Sequence, residues 1–185
     1  LDNFAELRAL PAAAAWCTDV DDLERDVTAM QARLRPQMLE RRAAGWVREC
    51  HGDLHCGNVV RWSGALTPFD GIEFDPKLRF IDVVNDIAFL AMDLAERGHA
   101  ELRRAVLQAW VEALGAWSAL PLLPYYEAYR ALVRSKVDAL RALQLAAGST
   151  ARADAVADCS RYLDWARSRV VARRPALVIT CGLSG

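Results

Sequence analysis

The sequence predicts an α+β protein that is mostly helical, and three observations carry that reading. Apolar residues recur at helical spacing over the back half, as at Val83, Ile87, Leu90, Ala91 and Leu94, which sets them on one face of a helix. Between these and a helical front third lie short β-branched and aromatic runs bounded by turn residues, the pattern of small strands. Hydrophobic residues make up 54% of the 185, enough for a sizeable core and too many for a disordered chain.

Taken in order, the front reads as helix over 20–44. Thr18 or Asp19 is placed to cap it, Pro36 to interrupt or kink it near Arg35, and Gly45 to stop it. Residues 46–50, 58–62 and 66–69 read as three strands, the last two joined by a turn at Ser63-Gly64. Helical period starts at Ile81 and runs to a stop at Gly98. A second helix buries Leu102, Val106, Trp110, Ala113 and Trp117, and a loop follows, marked by Pro121 and Pro124. A third covers 125–146 with Tyr129, Val133, Val137 and Leu140 inward, and Gly148-Ser149-Thr150 breaks it. A fourth covers 151–172, and 176–181 reads as a buried strand leading into Gly182-Leu183-Ser184-Gly185.

Composition bounds the function classes. A net charge of -1 argues against a general nucleic-acid binder, which needs a strongly basic face. No apolar run reaches the roughly 18–20 residues of a membrane span. Asp2, Glu6 and Arg8 stand where a secretory leader would be apolar, so a cytoplasmic, membrane-free protein is expected. The cysteines (Cys17, Cys50, Cys56, Cys159, Cys181) are odd in number and form no CxxC pair, which predicts free thiols. Lysine is rare, with Lys77 and Lys136 the only two among 23 basic residues, which reads as compositional bias.

The informative segment is His51-Gly52-Asp53-Leu54-His55-Cys56-Gly57-Asn58. His51, Asp53 and Asn58 reproduce the spacing of the kinase catalytic loop H-R-D-x-x-x-x-N, with Gly52 in place of the Arg. Phosphoryl transfer needs a carboxylate at the accepting hydroxyl, and Asp53 is suited to it. It also needs hard oxygen ligands for Mg²⁺, which an Asn amide oxygen and a second carboxylate supply. Asp70, at the end of the third strand, is the first choice for that carboxylate, with Glu73 and Asp75 as alternatives.

On these residues the segment resembles the aminoglycoside phosphotransferase family, small-molecule kinases of the protein-kinase-like fold, whose motif H-G-D-x-H-x-G-N it matches at every fixed position. The resemblance covers His51 to Asn58, Asp70 with Glu73, and Asp86 opening a helix. It implies ATP and Mg²⁺ as cofactors and a small hydroxyl-bearing molecule as acceptor. Asp53 is then the catalytic base, and Asn58 and Asp70 hold magnesium. His51 supports the loop backbone, His55 lies near the site, Gly52 and Gly57 shape the loop, and Asp86 holds it by hydrogen bonds. The stretch from Phe69 to Asp75 is longer than the family usually has. In that longer form the sequence is similar to a bacterial group in which the kinase-like domain is fused to a C-terminal P-loop NTPase domain. Residues 1–175 are then the helical C-lobe of the kinase-like fold, with its catalytic loop in a small β-hairpin region. Residues 176–185 are the first strand and truncated phosphate loop of the second domain, with Gly182 and Gly185 as its glycines. No Gly-rich loop or strand Lys precedes His51, so the chain is expected to be inactive alone.

Two other readings stand beside this one. Cys50, His51, His55 and Cys56 are zinc-type ligands within seven residues. A non-catalytic kinase-like module that senses a ligand and controls the fused P-loop domain would also use this fold. Tyr125 and Tyr126 are placed to border a substrate pocket.

Overall fold

The computed structural model describes residues 2–9 and 17–171. The expected strand at 176–181 and the glycines Gly182 and Gly185 lie outside these, as do the side chains of Thr18 and Asp19. The fold is mostly helical with two small sheets. In chain order the elements are α1 (Asp2–Ala9), α2 (Cys17–Ala43), β1 (Val47–Glu49), β2 (Val59–Trp62), β3 (Ala65–Pro68), α3 (Pro76–Arg79), β4 (Phe80–Asp82), α4 (Val83–Glu96), α5 (Ala100–Leu114), α6 (Leu123–Gln144) and α7 (Thr150–Val170).

The long helix α2 buries Val20, Leu23, Val27, Met30 and Leu34, a stripe at alternating three- and four-residue steps. It runs through Pro36 without the expected interruption. Pro36 deprives the Ala32 carbonyl of its donor, but Ala32 is exposed, so water serves that oxygen. Packing on both sides of the proline then outweighs the local cost. Gly45 ends the segment with φ +78°, and the Trp46 N–H donates back to the Arg41 carbonyl at 3.0 Å.

The sheets differ from the expected set. β2 and β3 form the predicted hairpin, with Ser63 and Gly64 both at positive φ in its turn. β1 pairs instead with β4, antiparallel, in the register Val47↔Asp82, Arg48↔Ile81 and Glu49↔Phe80. The helix expected from Ile81 therefore starts at Val83, and the one-turn α3 precedes the new strand. Asp82 explains the shift: its carboxylate accepts the Val84 N–H at 3.1 Å, capping α4.

The helical faces also shift. α4 is buried on most sides (Val84, Ile87, Ala88, Phe89, Ala91, Met92). α5 ends at Leu114 and turns Leu107 and Val111 inward, leaving Leu102 and Trp117 exposed. The expected loop around Pro121 and Pro124 is a 3₁₀ turn, Trp117–Leu122, running into α6. On α6, Val137 and Leu140 are exposed, and Ala128, Ala131, Ser135, Ala139 and Ala142 are buried instead. Small residues let α6 approach α7 closely along Ala155, Cys159 and Ala166. A periodicity drawn through the large apolar residues therefore missed the seam.

Candidate functional site

The 51–58 loop leaves β1 and enters β2, and it is held by side chains from the elements beneath it. Asp86, in the first turn of α4, accepts the Gly52 N–H at 2.9 Å and the His51 N–H at 3.1 Å. Asp93, two turns further on, accepts the Cys56 N–H at 2.8 Å. The two carboxylates, seven residues apart on one helix face, thus anchor the start and the end of the loop. Burial raises the Asp93 carboxyl, but the Cys56 bonds and Arg97 more than offset it and hold it below its ordinary value. Arg130 of α6 donates to the Gly52 carbonyl at 2.8 Å and to Asn85 Oδ1 at 2.8 Å, clamping the loop from the other side. One layer lower, Arg41 forms a buried two-pronged pair with Asp82 at 2.7 and 2.8 Å, tying α2 to the start of α4.

Both motif glycines have a steric reason. Gly52 has φ +82°, and a Cβ there would lie 3.0 Å from the Leu78 carbonyl oxygen and 3.2 Å from Ile72. A Cβ on Gly57 would lie 2.8 Å from the His55 ring, which caps the short 3₁₀ turn by accepting the Gly57 N–H.

The histidines are locked by their partners. His51 Nε2 donates to the Phe69 carbonyl at 2.8 Å, and Nδ1 accepts the Asp53 N–H at 3.3 Å. His51 therefore ties the loop to the chain leading to Asp70, with both ring nitrogens in use. His55 Nδ1 serves Gly57, so Nε2 carries the hydrogen and points it at Asp53 Oδ2, 3.4 Å away. Asn58 Nδ2 donates to the same Oδ2 and to the Asp53 carbonyl, both at 3.0 Å. The His55 hydrogen bond first, with the Asn58 bond and the Arg130 charge, outweighs burial and holds the Asp53 carboxyl below its ordinary value.

Asp53 lines two clefts. One, about 740 Å³ and open, continues to Asp70, Gly71 and Glu73. The other, about 370 Å³ and more enclosed, continues between α1, α3, α4 and α6. Asp70 has φ +60°, a left-handed turn that ends the β3 strand extension, and its carboxylate has no partner among the described residues. Asp75 caps α3 by accepting the Lys77 N–H at 2.9 Å and does not line this cleft. Glu73 is exposed on the rim of the 740 Å³ cleft, with only its carbonyl engaged, by Arg79.

As a magnesium site the donor set is sparse. Among the described residues no group of three or more His, Cys, Asp or Glu side chains is placed to hold a metal ion. Cys50, His51, His55 and Cys56 form no such group, and both ring nitrogens of His51 and of His55 are already engaged. Burial first, then Asp86, pushes the Cys50 thiol up to about 11; burial and Asp93 do the same for Cys56. The set does fit an ion that keeps its waters and takes one or two protein oxygens beside a nucleotide's phosphates. With Asn58 Nδ2 committed to Asp53, its Oδ1 is left for a cation.

Four functional positions were missed from sequence. Asp93 was legible as the residue seven after Asp86. Arg130, Asn85 and Tyr129 reach the site only through the α4–α6 packing. Tyr129, expected in the core, lines the enclosed cleft; Tyr125 and Tyr126 line neither cleft. His99, which follows the helix stop at Gly98, is exposed.

A segment of 119 residues, 64% of this chain, is 34% identical to uncharacterised proteins of Mycobacterium bovis and of two Mycobacterium tuberculosis strains. It spans 23% of the length of these curated relatives. No family model matches the chain. No solved structure matches it. Among the described residues no helix is long and apolar enough to cross a membrane.

Proposed function

We propose that the chain is the acceptor-binding, catalytic-loop half of an ATP- and magnesium-dependent small-molecule kinase with the aminoglycoside phosphotransferase type of fold. The observation that carries this reading is the place of Asp53 between two clefts, one running to Asp70 and one walled by α4 and α6. Transfer in line requires a carboxylate between the phosphates and the accepting hydroxyl. Asp53 would receive the substrate O–H and orient its lone pair toward the γ-phosphorus. Its lowered pKa makes it a weak base, which suits a loose transition state where the proton leaves late and positioning matters most. His55 and Asn58 fix the carboxylate's rotation through Oδ2 and leave Oδ1 for the hydroxyl. Magnesium, when bound, neutralises phosphate charge; Asn58 Oδ1 and the Asp70 carboxylate would hold it, with Glu73 at reach on the rim. The exposed Phe74 on the open cleft, with the exposed Trp62 and Leu66 of the β2–β3 hairpin, suits a covering nucleotide-binding lobe supplied by adjoining polypeptide.

The test uses the full-length gene product with Mg²⁺-ATP and a panel of hydroxyl compounds, read by ADP release and ³¹P NMR of the phosphoester. Turnover that falls at least about a hundredfold in Asp53→Asn, with nucleotide binding retained, is the expected result. Turnover that survives Asp53→Asn refutes the role of Asp53. Nucleotide binding with no transfer to any acceptor would favour the sensing module.

A further inference from the structure

The enclosed cleft on the far side of Asp53 carries a charge pattern that names its ligand. The chain has two lysines among 23 basic residues, and both line this one cleft of about 370 Å³. They come from distant places: Lys77 from the one-turn α3, Lys136 from the middle of α6. Arginine serves at the other basic positions. Lys77 is exposed and Lys136 half-buried, and both belong to the lining of this one cleft.

Their surroundings decide what they face. Lys136 Nζ lies 3.2 Å from Glu6 Oε2 across the rim, on a side chain 22% exposed. Among the described residues no carboxylate pairs with the Lys77 ammonium; only its backbone N–H is engaged, by Asp75. The third cation, Arg130, is spent on Gly52 and Asn85. The cleft therefore holds three cations against Glu6 and Asp53, with one ammonium unpaired. Its volume is at the small end of the about 300–1,000 Å³ of ligand pockets.

We infer that the acceptor is a small anion, a hydroxyl compound bearing a carboxylate or phosphate, whose charged group is read by Lys77 and Lys136 while its hydroxyl meets Asp53. This rests on the kinase reading for the role of Asp53 but not for the lysines. A flexible ammonium with three donors holds either anion as a point charge. A polycationic acceptor would meet like charge on this wall, opposed only by Asp53 and by Glu6, which Lys136 already neutralises. Glu6 competes for Lys136 and so tunes the affinity.

The rarity of lysine supplies the experiment. Reductive ¹³C-dimethylation of the 185-residue chain labels Lys77, Lys136 and the terminal amine, and Lys77→Arg and Lys136→Arg assign the signals. Glucuronate, glucose 6-phosphate, glycerate, glucose and glucosamine are titrated in turn. At least one anion is expected to move both lysine signals saturably, with glucose and glucosamine inert. Lys77→Ala should weaken that anion roughly tenfold or more, and Glu6→Gln should tighten it. A carboxylate or phosphate preference shows in which anion responds. If no anion moves the Lys77 signal, or if glucose or glucosamine moves it equally, the inference is overturned. The readout needs neither ATP nor turnover. Loss of the lysine response with turnover intact removes this acceptor assignment alone, and the converse removes the kinase reading alone.

Discussion

Truncating Asp86 to alanine should cost this chain about 3–5 kcal/mol of stability. Its carboxylate accepts two backbone N–H groups, at 2.9 Å from the buried Gly52 and 3.1 Å from the half-buried His51. A hydrogen bond to a charged group contributes about 1.5–3 kcal/mol, and an orphaned buried donor costs at the upper end of that range. Two such losses give the figure, with some relief from water at His51. Arg130, buried beside Asp86, loses part of its counter-charge as well. For a domain of about 5–15 kcal/mol this is a third or more of the total. Urea unfolding followed by far-UV circular dichroism measures it, as a fall in midpoint at unchanged slope. Asp86→Asn keeps one acceptor but turns an NH₂ toward the second N–H, so it should retain about half the loss. A loss below about 1 kcal/mol for the alanine variant, or equal losses for both variants, would show that the loop holds its own shape and that α4 does not anchor it.

Gly52→Ala should destabilise by more than about 1 kcal/mol, since it combines φ +82° with a 3.0 Å contact to the Leu78 carbonyl, and Gly45→Ala, with open space around its Cβ, should cost less; thermal melts rank the two. Cys50 and Cys56, with thiols at about 11 against the ordinary 9.0, should alkylate about a hundredfold more slowly at pH 7 in the native chain than in urea, read by peptide mass mapping. Burial raises the Asp138 carboxyl, whose Oδ2 has no hydrogen-bond partner. Its folded pKa therefore exceeds the unfolded one, so its ionisation destabilises the fold as pH rises through that interval. Asp138→Asn should raise the urea midpoint at pH 7 and leave it unchanged at pH 3. Asp53 and Asp93 shift the other way: their stabilisation is complete above the unfolded carboxylate value near pH 4 and is lost as pH falls below it, so the Asp53→Asn variant should show a shallower acid limb.

The sequence made the mostly helical class legible because Gly45 and Gly98 stop helices by local chemistry that needs no partner, although the same signal at Gly115 was passed over. The β2–β3 hairpin was legible for the same reason, through Ser63-Gly64. β4 was not, because its partner β1 lies more than thirty residues away and the apolar run through Ile81 merges with α4. Pro36 misled because a local breaker was outvoted by packing at Leu34 and the anchor at Arg41. At the site, residues within the 51–58 loop and the helix-opening Asp86 could be read from spacing. Arg130 could not, since an arginine on a helix gives no sign that it will be buried against a glycine carbonyl.

The two carboxylates on one face of α4 have a kinetic consequence. The amides of His51, Gly52 and Cys56 donate to side chains of a core helix, so each exchanges only when its bond to Asp86 or Asp93 breaks. Their exchange should await the opening of α4 itself, on the timescale of the slowest core amides. A polar loop between two short strands would then register as part of the most protected body of the molecule, ahead of the exposed two-stranded β2–β3 hairpin beside it.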